Sequence, residues 1–153
     1  MLTAIELQRL EIPQPAAAVL ISPWLDMALS AYQGGNPAVE SDYFVMANQA
    51  VPKLAQLFAG DYDLDSPEVN PLFRKQEELR GICPQLILVG GAEFALSDSK
   101  SWARACDDAD IPHKLHVEWG QLHIYAMGSR LLDPRIRQRT DRQIIDWIGK
   151  HVN

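Results

Sequence analysis

The chain has 153 residues, 47% of them hydrophobic and 22% charged, with a formal net charge of −6. That length suits one domain with its own core, and the composition is that of an average soluble protein. The acidic balance argues against a nucleic-acid footprint, and the longest apolar run, AAAVLI, is far too short to cross a bilayer.

The first residues, MLTAIELQRLEI, lack the basic start, long apolar stretch and small-residue cleavage site of a signal peptide. Cys83 and Cys106 are the only cysteines and neither sits in a CxxC, so both are expected as buried, reduced thiols. With Met1 taken as the start, the expected location is cytoplasmic.

In chain order, LTAIELQRL carries apolar residues on more than one side (Leu2, Ile5, Leu7, Leu10) and predicts a largely buried helix, ended by Pro13 and Pro15. AAAVLIS is a continuous apolar run, the pattern of a strand covered on both faces. From Pro23 to Pro84 there is no strand signal. Within that stretch Val51, Leu54, Ala55 and Phe58 fall at helical spacing, and Gly60 supplies a stop. QLILVG predicts a second buried strand. SDSKSWARACDDAD predicts a helix capped by Ser97, with Trp102, Ala105, Cys106 and Ala109 on one face. HKLHVEW alternates, with Leu115, Val117 and Trp119 on one face and Lys114, His116 and Glu118 on the other, as in a strand near a sheet edge. Asp133-Pro134 starts a last helix, whose apolar stripe is predicted as Ile144, Ile145, Ile148 and Val152.

Alternating strands and helices with near-continuous apolar strands imply an α/β fold. About three parallel strands are expected, at 17–22, 85–90 and 113–119, with helices on both faces. Chemistry in such sheets gathers beyond the carboxyl ends of the strands. Glu93 follows QLILVG and His123 follows HKLHVEW, so both fall on one rim if their strands are parallel neighbours. Taken singly, each has an ordinary alternative. A loop histidine is commonly plain polar surface, and a glutamate after a strand is commonly solvated or caps the next helix.

PAAAVLISPWLDM, VNPLF, CPQLILVGGAEFALSDS and the LH of GQLHIY together resemble the C-terminal half of the hormone-sensitive-lipase family of α/β-hydrolase esterases. The likeness runs in order from Leu2 to about Val152, and its most specific parts are SPWLD and GAEFALSDS. It implies a Ser–His–acid triad, with the acid matched by Glu93, the histidine by His123, and Tyr125 at an aromatic position that often follows. Many members carry Asp as the acid, and the longer Glu is a variant that α/β-hydrolases also use. Asp98, 25 residues before His123, is the rival acid. As a carboxylate in a helix's first turn it also has a structural role ready.

The same family places its serine in a GxSxG elbow and draws oxyanion donors partly from an HGGG-like loop. Neither is present, and none of the eight serines has glycine at both flanking positions. The resemblance therefore implies a single incomplete domain over residues 1–153 that lacks the nucleophile. One edge of AAAVLIS would be left unpaired, open to a second copy or to an N-terminal half. A chain so built is expected to be poorly soluble alone, or to pair with one of those partners. The stretch 27–81 matches a lid-like helical insertion, in which Tyr43, Phe44, Phe58 and Phe73, with Tyr125, could line an ester pocket or simply pack. Trp24 and Asp26 are expected as structural residues of SPWLD.

No HxH or HExxH spacing supports a metal site, Gly34-Gly35 and Gly90-Gly91 are neither a GxGxxG nor a P-loop, and no cofactor is implied. Two functions stay open. One is the C-terminal portion of a serine carboxylic-ester hydrolase, acting on a small-molecule ester and inactive alone. The other is a non-catalytic, degenerate hydrolase module that binds a ligand or a partner subunit.

Overall fold

The computed structural model describes residues 1–32, 37–40, 42, 47–128 and 132–152. In chain order the elements are α1 (Leu2–Arg9), β1 (Ala18–Ile21), α2 (Pro37–Glu40), α3 (Ala47–Ala59), α4 (Gln76–Leu79), β2 (Gln85–Gly90), α5 (Leu96–Asp108), β3 (His113–Glu118) and α6 (Pro134–Val152). The three expected strands are present, two of them a residue shorter at one or both ends. All run parallel, in the order β1-β2-β3, with Leu20 beside Ile87 and Ile87 beside Leu115.

β2 has a neighbour on each side and helices on both faces, so an uncharged, apolar QLILVG is the sequence that position demands; all six residues are buried. Side chains alternate across the strand. Ile87 packs with Ala4 and Ile5 of α1, Leu79 of α4, and Trp102, Ala103 and Cys106 of α5. Leu86 and Leu88 face the other way, toward Tyr125, Ala126 and the α6 residues Ile136, Ile144 and Trp147. Each such fully buried Leu or Ile contributes about 1.5–3 kcal/mol relative to exposure. At the start of β2 the Trp102 indole N–H donates to Gln85 Oε1 at 2.6 Å, which satisfies the indole in the core, while Gln85 Nε2 has no partner among the described residues. Cys83 and Cys106 are free and buried, as expected, and burial pushes the Cys106 thiol up to about 12.

Several expectations are corrected. β1 is only half-buried along its length, because β1 pairs with β2 alone among the described residues and lacks a neighbour on its other side. In α1 only Ala4 and Ile5 are buried, and Leu10 is exposed, so this helix has one covered face. α5 begins one residue before Ser97, with Ala95 at the cap position, so Ser97 lies inside the first turn. β3 ends at Glu118, leaving Trp119 exposed beyond it.

α6 keeps its expected start: the Arg135 N–H donates to the Asp133 carboxylate at 2.7 Å. Its buried face, however, is rotated. Ile136, Thr140, Ile144 and Trp147 lie against the sheet or are buried, while Ile145, Ile148 and Val152 are exposed. A helix resting on a single sheet covers one stripe, and the face bearing the large indole removes more apolar area from water. In the insertion, α3 buries Val51, Ala55 and Ala59, and Val69 and Met27 pack beside the latter two. Leu54 and Phe58 flank that stripe and are exposed. Gly60 ends the helix with a φ of +58°, a left-handed conformation that glycine adopts without a Cβ clash.

Candidate active site

The carboxyl ends of three parallel strands necessarily lie on one rim. Glu93 stands three residues past the end of β2 and His123 five past the end of β3. Two glycines let the second loop settle on the first. At Gly90 a Cβ would lie 2.7 Å from the Leu122 carbonyl oxygen and closer still to that of Gln121; at Gly91 it would lie 2.6 Å from the Trp119 ring. The Ala92 N–H donates to Gln121 O at 3.0 Å and the Gly91 N–H to Glu118 O at 2.9 Å, fastening the two loops together.

The Glu93 side chain has no exposed surface. Its Oε2 lies 2.6 Å from His123 Nδ1. A carboxylate at that distance accepts, so the tautomer that fits this contact carries its proton on Nδ1. Oε1 accepts the Gly90 N–H at 2.5 Å and the Ser22 hydroxyl at 2.8 Å. The same Ser22 oxygen accepts the Ile124 N–H at 2.9 Å. Ser22 and Ile124 both have left-handed backbones, with φ of 47° and 55°. For serine that is uncommon and for β-branched isoleucine an outlier. Strain of this kind, on the order of 1–3 kcal/mol per residue, persists where surrounding contacts over-determine the backbone.

The imidazole lies against the Phe94 ring, centroids 4.9 Å apart, and Trp24 meets Phe94 edge-on at 5.7 Å. The Phe94 N–H donates to Asp42 Oδ2 at 2.9 Å. Trp24 is anchored through its indole N–H to Asp26 O, and Asp26 Oδ2 accepts the Ser30 N–H, so SPWLD is a braced loop.

Asp98 is committed elsewhere. Its Oδ2 accepts the N–H groups of Leu25 and Asp26 at 2.9 and 3.1 Å, so it ties the first turn of α5 to the loop after β1. Burial pushes its carboxyl up to about 7, the two N–H donors pull it back, and the nearby Asp26 charge pushes it further up. Tyr125 packs under α6 with Leu86 and Leu88, which makes it a core residue, and burial pushes its phenol up to about 12. Phe58 is 58% exposed on α3, and Phe73 is partly exposed in the turn after Asn70. Tyr43 and Phe44 lie outside the described residues.

A family model described as alpha/beta hydrolase fold matches residues 1–127. The chain belongs to that family. It is similar to an esterase of Acinetobacter venetianus, 32% identical over 111 residues, covering 68% of this chain and 32% of that protein. Esterase LipU of Mycobacterium tuberculosis is 30% identical over 138 residues, covering 88% of this chain and 45% of that protein. A solved esterase from the bacterial hormone-sensitive lipase family superimposes with a TM-score of 0.85 at 26% identity, over 99% of this chain and 49% of that one. The expected likeness to hormone-sensitive-lipase-type hydrolases therefore holds, and the chain spans half the length of these relatives or less.

Ser22, Phe94 and Asp42 escaped sequence reasoning. Ser22 could be read only as the polar end of an apolar strand. Its contacts with Glu93 and Ile124 lie 71 and 102 residues away in the chain, and no local pattern encodes them.

Proposed function

We propose that this chain carries the acid and the histidine of a Ser–His–Glu triad in a carboxylic-ester hydrolase. Glu93 is the acid, His123 the general base and then acid, and the serine comes from a polypeptide segment other than these 153 residues. The observation that carries the proposal is the 2.6 Å contact between His123 Nδ1 and a carboxylate with no exposed surface. A buried acid on Nδ1 sets the imidazole tautomer and stabilises the imidazolium as it forms, so Nε2 is the nitrogen that takes the serine proton and returns it to the leaving alcohol. The ester itself is a small molecule, and Phe58, Phe73 and the aromatics of the insertion are the side chains proposed to meet it.

The free edge of β1 is the proposed seat of the partner, either the segment bearing the serine or a second copy, because parallel strands with an open edge pair readily. The proposed location is cytoplasmic, in keeping with two buried free thiols. No helix among the described residues is long and apolar enough to cross a membrane.

A fluorophosphonate probe tests where the nucleophile lies. It should leave the 153-residue chain unlabelled, and ester hydrolysis should appear once a segment with a GxSxG elbow is supplied. Stoichiometric labelling of the chain alone would place the nucleophile within it. A non-catalytic module is the second reading, favoured by the absence of any GxSxG serine; it predicts no hydrolysis in either case.

A further inference from the structure

Among the described residues three groups meet the Glu93 carboxylate, and they differ in what they can fix. The Gly90 N–H is three residues away on the same turn, so it restrains the side chain only locally. His123 comes from the loop after β3 and Ser22 from the end of β1. A hydroxyl has one proton and two lone pairs. At Ser22 a lone pair is taken by the Ile124 N–H, and the proton points to Glu93 Oε1. Because Ile124 directly follows His123, one hydroxyl holds both the carboxylate and the backbone that presents the imidazole. The contacts close a circuit from Glu93 to His123, along the chain to Ile124, to Ser22 and back to Glu93. A glutamate has one more rotatable bond than an aspartate, so its carboxylate needs such a tether to keep a fixed distance from the ring.

We propose that Ser22 is a positioning residue for the acid–histidine pair, clamping the Glu93 carboxylate and the His123 loop through its single hydroxyl. This rests on the triad reading above and adds a third strand end to the machinery. Two observations support it independently of the hydrogen bonds. Ser22 is almost fully buried, and both it and Ile124 hold left-handed backbones.

The test is proton NMR and amide exchange on the 153-residue chain. A short Nδ1–H···Oε2 contact gives a low-field His123 ring proton protected from water. Ser22→Ala removes the hydroxyl at a strained position, and Ser22→Gly removes it while relieving the backbone, so the second variant guards against misfolding of the first. In both, the low-field signal should broaden or vanish and the Ile124 amide should exchange roughly ten-fold faster or more. The Trp102 indole signal, at the opposite end of β2, should stay unchanged. A low-field signal and an Ile124 exchange rate that match the unsubstituted chain in both variants would overturn the role of Ser22. Glu93→Gln separates the two claims: survival of the low-field signal in that variant would overturn the acid–histidine pair itself.

Discussion

Gly90 and Gln121 touch backbone to backbone at the end of the central strand, so closely that no Cβ fits between them. That approach lets the loop bearing His123 descend onto the turn bearing Glu93. Gly90→Ala should therefore push the loop outward and lengthen the Glu93–His123 contact. Overpacking a tight site costs about 1–3 kcal/mol, and a misplacement of about 1 Å near reacting groups costs on the order of 10²-fold in rate. We expect a lowered urea midpoint and loss of the low-field His123 proton, both measured on the purified variant.

Asp98 makes stability depend on pH. Its folded carboxyl is raised to about 7 by burial above all, against an ordinary value of 3.8. Between those values the folded chain binds more protons than the unfolded one, so this group's contribution is fully present below pH 3.8 and is lost as pH rises through 7. Asp98→Asn keeps an oxygen for the Leu25 and Asp26 N–H groups but cannot ionise. The variant should gain a few kcal/mol relative to the unsubstituted chain at pH 8 and little at pH 4. Urea unfolding at the two pH values measures the difference, and an equal effect at both would refute it.

Asn70 organises the insertion from a fully buried position. Its Oδ1 accepts the Met27 N–H, while Nδ2 donates to the carbonyls of Leu64 and Ser66. Asn70→Ala orphans the Met27 N–H and the Leu64 carbonyl, at about 1–3 kcal/mol for each one left buried, while the Ser66 carbonyl keeps the Val69 and Asn70 N–H groups. Asn70→Asp keeps the acceptor but sets a carboxylate oxygen against the Leu64 and Ser66 carbonyls in a fully buried site, so it should lose at least as much. Thermal melts should place both variants below the unsubstituted chain, with Asn70→Ala no lower than Asn70→Asp.

The legible part of the fold was what local pattern controls. QLILVG reads as a buried strand and Asp133-Pro134 as a helix start, because burial on both faces and a cap each leave a signature in consecutive residues. Parallel strands then put Glu93 and His123 on one rim without further information. What escaped was decided by tertiary competition. In α6 two apolar stripes share one helix, and the sheet took the one with Trp147. AAAVLIS read as covered on both faces because its apolar content is the same whether or not a neighbour is present. Ser22 was invisible because its two partners lie far away in the chain.

The cap of α6 offers a smaller, cleaner check. Asp133 is an exposed N-cap whose side chain accepts the Arg135 N–H, and Pro134 fits the first helical position. Asp133→Ala should cost about 1 kcal/mol, and Asp133→Ser much less. Equal losses in chemical denaturation for both variants would show that the hydrogen bond does not matter.

The pairing of Glu93 with His123 is tested most directly by turnover. The chain is joined behind the N-terminal half of a related esterase that carries a GxSxG serine, and hydrolysis of p-nitrophenyl esters is measured for the joined protein, for Glu93→Gln and for His123→Ala. We expect hydrolysis in the first and a fall in kcat on the order of 10⁴ in each variant, with KM little changed. Near-equal turnover in all three would show that these two side chains do not serve the serine.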